Sequence, residues 1–164
     1  MKSNRVTVGI GQYSSVHLDL PRSLQKLESI VVEAAAKRVG MLVLGETWLS
    51  GYPSWLDYCT NVSQWDGKEM KEVYLQFYNS SVAVNSTEFK RVCAMAKDNN
   101  ITLCIGFNEK LASGPGNGTI YNSFVIVDQH GEVINHHRKL MPTFTEKMLY
   151  GMGDGQGLKA VDTQ

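Results

Sequence analysis

Within its first quarter the chain changes hydrophobic period twice. Val6, Val8 and Ile10 alternate with Thr7, Gly9 and Gly11, the period of two expected of a β-strand that turns one face to a core. From Asp19 and Pro21, which suit a cap and a first helical turn, Leu24, Leu27, Ile30, Val31, Ala34 and Ala35 recur at threes and fours. That spacing predicts an amphipathic helix, and Gly40 stops it. Met41 to Leu44 is then an unbroken apolar run, as in a strand buried on both faces, whose C-terminal end opens into a loop at Glu46.

The remainder extends this order. Helices are predicted at about Lys68 to Phe77 and Thr87 to Asn99, the second capped by Ser86 or Thr87 with Glu88 in its first turn. Ile101 to Phe107, Ile120 to Val127 and Glu132 to His137 are β-rich. The Gly/Pro/Asn cluster 113–118 and the turn Asp128-Gln129-His130-Gly131 separate them, and the turn predicts a hairpin. Strand, helix, strand, helices, strand and hairpin make an α/β layered fold with mixed strand pairing. Leu158 to Val161 is expected to begin a further strand that has no room to finish, so the chain reads as cut short. Nothing divides the 164 residues, which are taken as one partial domain spanning 1–164.

Composition narrows the function. Sixteen basic residues balance sixteen acidic ones, so no net field draws the chain to nucleic acid or anionic lipid. The first apolar stretch is short and polar-interrupted, unlike a signal peptide or membrane span, and a cytoplasmic setting is expected. The odd count of three cysteines, Cys59, Cys93 and Cys104, argues for free thiols over a disulfide framework. His136 and His137 are adjacent and would face opposite sides of a strand, so no metal site is expected. The glycine pairs Gly9/Gly11, Gly114/Gly116 and Gly151/Gly153 each lack the third glycine of a dinucleotide loop, so no cofactor is expected either.

Two segments carry chemistry. Gly45-Glu46-Thr47-Trp48-Leu49-Ser50-Gly51-Tyr52-Pro53 places an acid directly after the buried strand. His137-Arg138-Lys139-Leu140-Met141-Pro142-Thr143-Phe144-Thr145-Glu146, continuing into Gly151-Met152-Gly153-Asp154-Gly155, places an amine before a second acid. Both closely resemble motifs of the nitrilase, or carbon–nitrogen hydrolase, superfamily, and the second resembles the nitrilase branch in particular. The resemblance spans essentially the whole chain. It implies half of a four-layer α-β-β-α sandwich, a mixed sheet with helices on one face. By motif position it implies that Glu46 is a general base toward a cysteine thiol, that Lys139 stabilises the tetrahedral species and that Glu146 orients the groups.

The chemistry suits such a grouping. A thiol attacks as thiolate, a nearby carboxylate can take its proton, and an ammonium can hold charge developing on the substrate. A lone buried carboxylate or ammonium is costly, so Glu46 and Lys139 should need each other or Glu146. The aromatic loop after Glu46, with Trp48, Tyr52, Pro53 and Trp55 and, further on, Trp65, is expected to wall the substrate pocket, although its tryptophans fit core packing equally well.

The resemblance places the nucleophile after the lysine motif, on a sharp turn at the end of the next buried strand. All three cysteines precede Lys139, so the chain is expected to carry the N-terminal half of a hydrolase of small nitriles or amides and to be inactive alone. The alternative is a non-catalytic remnant that acts as an interaction module. Either way, a sheet without its facing sheet should leave a large apolar face, so the chain is expected to form homo-oligomers or to associate with a complementary half or a full-length relative. A generic flavodoxin-like nucleotide binder rests on the α/β order alone.

Overall fold

The computed structural model describes residues 5–59, 61, 64 and 66–163. Strand β1 (Val8–Gly11) leads through helix α1 (Leu20–Ala36) to β2 (Met41–Leu44), and α2 (Trp55–Tyr58), α3 (Lys68–Ser80) and α4 (Thr87–Asp98) follow. Strands β3 (Thr102–Lys110), β4 (Ile120–Val127) and β5 (Val133–Arg138) come next, then a 3-10 turn at Phe144–Met148. The strands form one five-stranded sheet in sequence order. β1, β2 and β3 pair in parallel, whereas β3, β4 and β5 pair antiparallel.

The connections explain the mixture. Parallel neighbours need a long crossover, which α1 and the α2–α4 segment supply, while short turns join the antiparallel strands. Each junction is set locally. Asp19 Oδ1 accepts from the Arg22 N–H at 2.9 Å at the start of α1, and Ser86 Oγ accepts from the Phe89 N–H at 3.2 Å at the start of α4. In the β4–β5 turn Asp128 Oδ1 accepts from the N–H groups of His130 and Glu132, both at 2.9 Å, and Gly131 takes a φ of 83° that suits glycine.

The main core lies on one side of the sheet. Leu24, Leu27, Ile30 and Val31 of α1 and Phe89, Val92 and Met95 of α4 pack onto Leu42, Leu44, Leu103, Ile105, Phe107, Val125 and Val127. A second cluster of Leu56, Phe77, Ile120, Leu149 and Tyr150 joins α2, α3 and the 3-10 turn to the start of β4.

Two expectations need correction. The alternating residues of the first strand do not face this core: Val8 is 53% and Ile10 77% exposed. The glycines between them are what face the core, since a Cβ on Gly9 would meet Val39 and Leu42 and one on Gly11 would meet Leu44. Periodicity reports that a strand has two unlike faces but not which one the helices cover. Nor do residues 158–161 form a strand. The Asn135 side-chain amide instead donates to the carbonyls of Gly157 at 3.2 Å and Lys159 at 3.1 Å, holding this stretch against β5 by side-chain contacts in place of a ladder.

Candidate active site

Glu46 sits two residues past β2, where β3 runs on beyond its shorter neighbour. The loop that carries it turns tightly. Thr47 has φ 48°, Ser50 φ 80° and Gly51 φ 92°, and the first two conformations cost about 1 kcal/mol or more each for residues with a Cβ. The surroundings hold them in place. The Leu49 N–H donates to the Gly106 carbonyl at 3.1 Å, the Asn108 side-chain amide donates to the Gly51 carbonyl at 2.9 Å, and the Ser50 hydroxyl donates to the Ser80 carbonyl. Gly106 is where the loop crosses β3 most closely. A Cβ there would lie 2.5 Å from the Gly45 carbonyl oxygen and 2.8 Å from the Glu46 Cα.

Lys139 follows β5 directly and stays in its ladder, its N–H donating to the Asn122 carbonyl at 2.8 Å. Its ammonium lies 2.7 Å from Glu46 Oε1 and 3.0 Å from Glu146 Oε2. Glu146, on the 3-10 turn, is buried and also accepts from the Thr143 N–H at 2.8 Å. The Asn122 amide donates to Glu46 Oε1 at 2.6 Å. The acid and amine expected to need each other are therefore in contact across 93 residues of sequence, with the second acid behind the amine.

The contacts decide the charges. Burial pushes the Glu46 carboxyl up, but hydrogen bonds from Lys139 and Asn122 outweigh it and hold the group below the usual glutamate range. Burial also penalises the Lys139 ammonium, and the hydrogen bonds and charges of Glu46 and Glu146 overcome that and raise it. Glu46 remains about half exposed, so its share of this ion pair is screened by solvent. A cavity of about 230 Å³ opens beside the cluster, lined by Glu46, Gly106, Asn122, Ser123, Phe124, His137 and Lys139. A larger surface groove of about 720 Å³ between α1, α3 and α4 contains none of the motif residues.

The expected aromatic wall comes apart in three dimensions. Trp48 is a core residue, with its indole N–H donating to the Tyr13 carbonyl at 2.6 Å. Pro53 is buried, and Trp55 packs edge-on to Phe77 at 4.9 Å in the second cluster. None of these three lines the cavity. Only Tyr52 stands beside the charged groups, where burial and then the Glu146 carboxylate push its phenol up to about 12. Trp65 lies outside the described residues.

Sequence reasoning missed Asn122 and Gly106. The one available signal was polarity, an Asn-Ser pair inside an otherwise apolar strand. The cysteines lie elsewhere: Cys59 is exposed, Cys93 is on α4 and Cys104 is buried in β3. Burial raises the thiols of Cys93 and Cys104, which makes them poor nucleophiles. Among the described residues, no group of three or more His, Cys, Asp or Glu is arranged to hold a metal ion.

The acid and the amine thus converge at the strand ends of an α/β layer, and comparison with known proteins gives the family. The carbon-nitrogen hydrolase family profile matches residues 7–164, so the chain belongs to that family. It is 30% identical over 158 residues to a nitrilase 2 from an unknown prokaryotic organism, covering 96% of this chain and 48% of that one. It is 32% identical over 156 residues to an arylacetonitrilase of Fusarium vanettenii, covering 95% and 42%. A cyanide hydratase of Stereum hirsutum is 34% identical over 146 residues, covering 88% and 36%. The chain thus spans about half the length or less of the curated relatives it matches.

Among solved structures, a double mutant of the amidase from Nesterenkonia sp. AN1 in complex with acrylamide superposes with a TM-score of 0.64 at 17% identity, over 94% of this chain and 50% of that one. A variant of the same amidase, with the acetamide moiety of fluoroacetamide added covalently at its active site cysteine, gives 0.62 at 17% identity, over 91% and 48%. These establish the shared fold, a mixed sheet with helices that corresponds to half of the nitrilase-type sandwich.

Proposed function

We propose that this chain carries the acid–base half of a cysteine-dependent nitrile hydrolase, with the thiol supplied by protein beyond residue 164. One observation carries the reading: the Lys139 ammonium bridges Glu46 and Glu146 at 2.7 and 3.0 Å, beside a cavity that could hold a small substrate. The nitrilase and arylacetonitrilase relatives support a nitrile substrate, and the amidase neighbours support an amide as the next choice.

In this reaction Glu46, ionised at neutral pH, takes the thiol proton as sulfur bonds to the nitrile carbon, and returns it to the nitrogen to give a thioimidate. Water then adds, ammonia leaves and a thioester remains; a second water releases the carboxylic acid and restores the thiol. Lys139 stays protonated and offsets the charge of each tetrahedral species, and Glu146 holds Lys139 in place. By itself the chain should release no ammonia from aliphatic or aromatic nitriles. Sustained turnover by the purified chain would refute the assignment of the nucleophile to another segment. A longer form carrying the thiol should turn over and lose activity on Glu46→Gln.

A second reading, an associating module without chemistry of its own, is favoured by the uncovered side of the sheet, where Val8 and Ile10 are solvent-facing. Analytical ultracentrifugation tests it, because a strictly monomeric chain at micromolar concentration would argue against it. No helix among the described residues is long and apolar enough to cross a membrane. A cytoplasmic setting, proposed because the three thiols are free, is read by imaging a tagged chain.

A further inference from the structure

We infer that Glu109, a carboxylate outside both motifs and on the opposite side of the sheet from Glu46, is the positioning residue that aims Lys139 and Asn122 at Glu46. The inference rests on the reading of Glu46, Lys139 and Glu146 as the reacting cluster. Glu109 is the penultimate residue of β3 and is 1% exposed. It accepts from Ser123 Oγ at 2.6 Å on β4, and from His136 Nε2 at 2.8 Å and Arg138 Nε at 3.0 Å on β5, with a second guanidinium contact through Arg138 Nη2. One carboxylate thus fastens both strands that deliver the site. The Arg138 guanidinium also lies over the Tyr121 ring, 4.2 Å from its centroid.

Successive side chains on a strand point to opposite faces. Ser123 and Arg138 point to the Glu109 side, so Asn122 and Lys139, each one residue away, point to the other and meet at Glu46. The β4–β5 register is irregular at Ile126/Val127, so the ladder alone locks it weakly at its far end. A slip of one residue would carry Lys139 to the wrong face. A buried ion pair is poor evidence of added stability, and its best attested use is to fix register, which is the role the two-strand fastening serves here. Burial works against the Glu109 carboxylate, yet the His136, Arg138 and Ser123 hydrogen bonds hold it at about 2, so the charge that grips Arg138 persists at any ordinary pH.

The experiment uses the isotope-labelled chain and follows two NMR readouts: the titration of the Lys139 side chain and the exchange rate of its backbone N–H. In the unsubstituted chain Lys139 should titrate above an ordinary lysine; an ordinary value there would sink the site reading itself, independently of Glu109. Given the raised value, Glu109→Gln should return Lys139 toward the ordinary range and speed its amide exchange by about tenfold or more, while amides of α1 and β2 stay protected. Unchanged titration and exchange in Glu109→Gln overturn the proposal. Should that variant fail to fold, Ser123→Ala and Arg138→Lys decide by the same readouts. Faster Lys139 exchange in both supports the brace, and wild-type behaviour in both overturns it.

Discussion

Replacing Gly106 by alanine should uncouple the site from its scaffold with a single methyl group. The added carbon would stand 2.5 Å from the Gly45 carbonyl oxygen, 2.6 Å from the Thr47 nitrogen and 2.8 Å from the Glu46 Cα, where ordinary contacts begin near 3.4 Å. All three are backbone atoms of the Glu46 loop, so no side chain can swing aside and the loop must retreat by roughly 1 Å. Overpacking of this kind costs about 1–3 kcal/mol, and loss of the Leu49 N–H to Gly106 carbonyl bond adds about 1 kcal/mol. With a urea dependence of about 2 kcal/mol per molar, the unfolding midpoint should fall by about 1–2 M. The Lys139 side-chain resonances should move as Glu46 withdraws. Gly45→Ala is the control, because a Cβ at that neighbouring glycine meets nothing within 4 Å and should leave the midpoint nearly unchanged. A Gly106→Ala chain within about 0.5 kcal/mol of the parent, or a Gly45→Ala chain equally damaged, would refute the close-approach argument.

Acid should weaken the fold through Glu109. Its folded value of about 2 lies below an ordinary glutamate near 4.5, so its contribution, about 3 kcal/mol, is present above pH 4.5 and is lost as pH falls toward 2. Urea titrations at pH 6, 4 and 2.5 should follow that course, and a Glu109→Gln chain should show a flatter acid limb. Lys139 acts in the opposite sense: its raised value stabilises the fold below the ordinary lysine range, and that stability is lost as pH rises through the folded value. Lys139→Met should therefore lose part of the alkaline limb of the stability–pH curve and, by leaving Glu146 buried and unpaired, cost about 2–3 kcal/mol at neutral pH. Tyr150→Phe removes the buried hydroxyl that donates to Asn108 Oδ1 at 2.6 Å, and it should cost about 1–3 kcal/mol in urea unfolding by loosening the Gly51 end of the site loop.

The elements were legible because their signals are local. The threes and fours of α1, its cap Asp19, the run Met41 to Leu44 and the Asp128–Gly131 turn each act within a few residues, and each stands where the pattern put it; of the two cap candidates for α4, Ser86 is the one used. The motif positions Glu46, Lys139 and Glu146 were legible for a different reason, resemblance, and the charge argument that they should need one another follows from the cost of desolvation. Periodicity could not say which side of β1 the helices cover, because a strand's alternation is symmetric until a partner occupies one face. Aromatic content could not separate pocket from core: Trp48 is buried in the main core, and Trp55 is half-buried against Phe77 of the second cluster.

Taken alone, the sequence determined an α/β order, the boundaries of the three long helices and the five strands to within a few residues, and the acid and amine that belong together, but not the short helix α2. Tertiary structure decided what surrounds them: Gly106 beneath the loop, Asn122 on Glu46, and Glu109 gripping β4 and β5 from below. The physical reason is range. Periodicity and capping are energies between neighbours in the chain, whereas these contacts join residues 14 to 76 positions apart and exist only after the sheet has set its register.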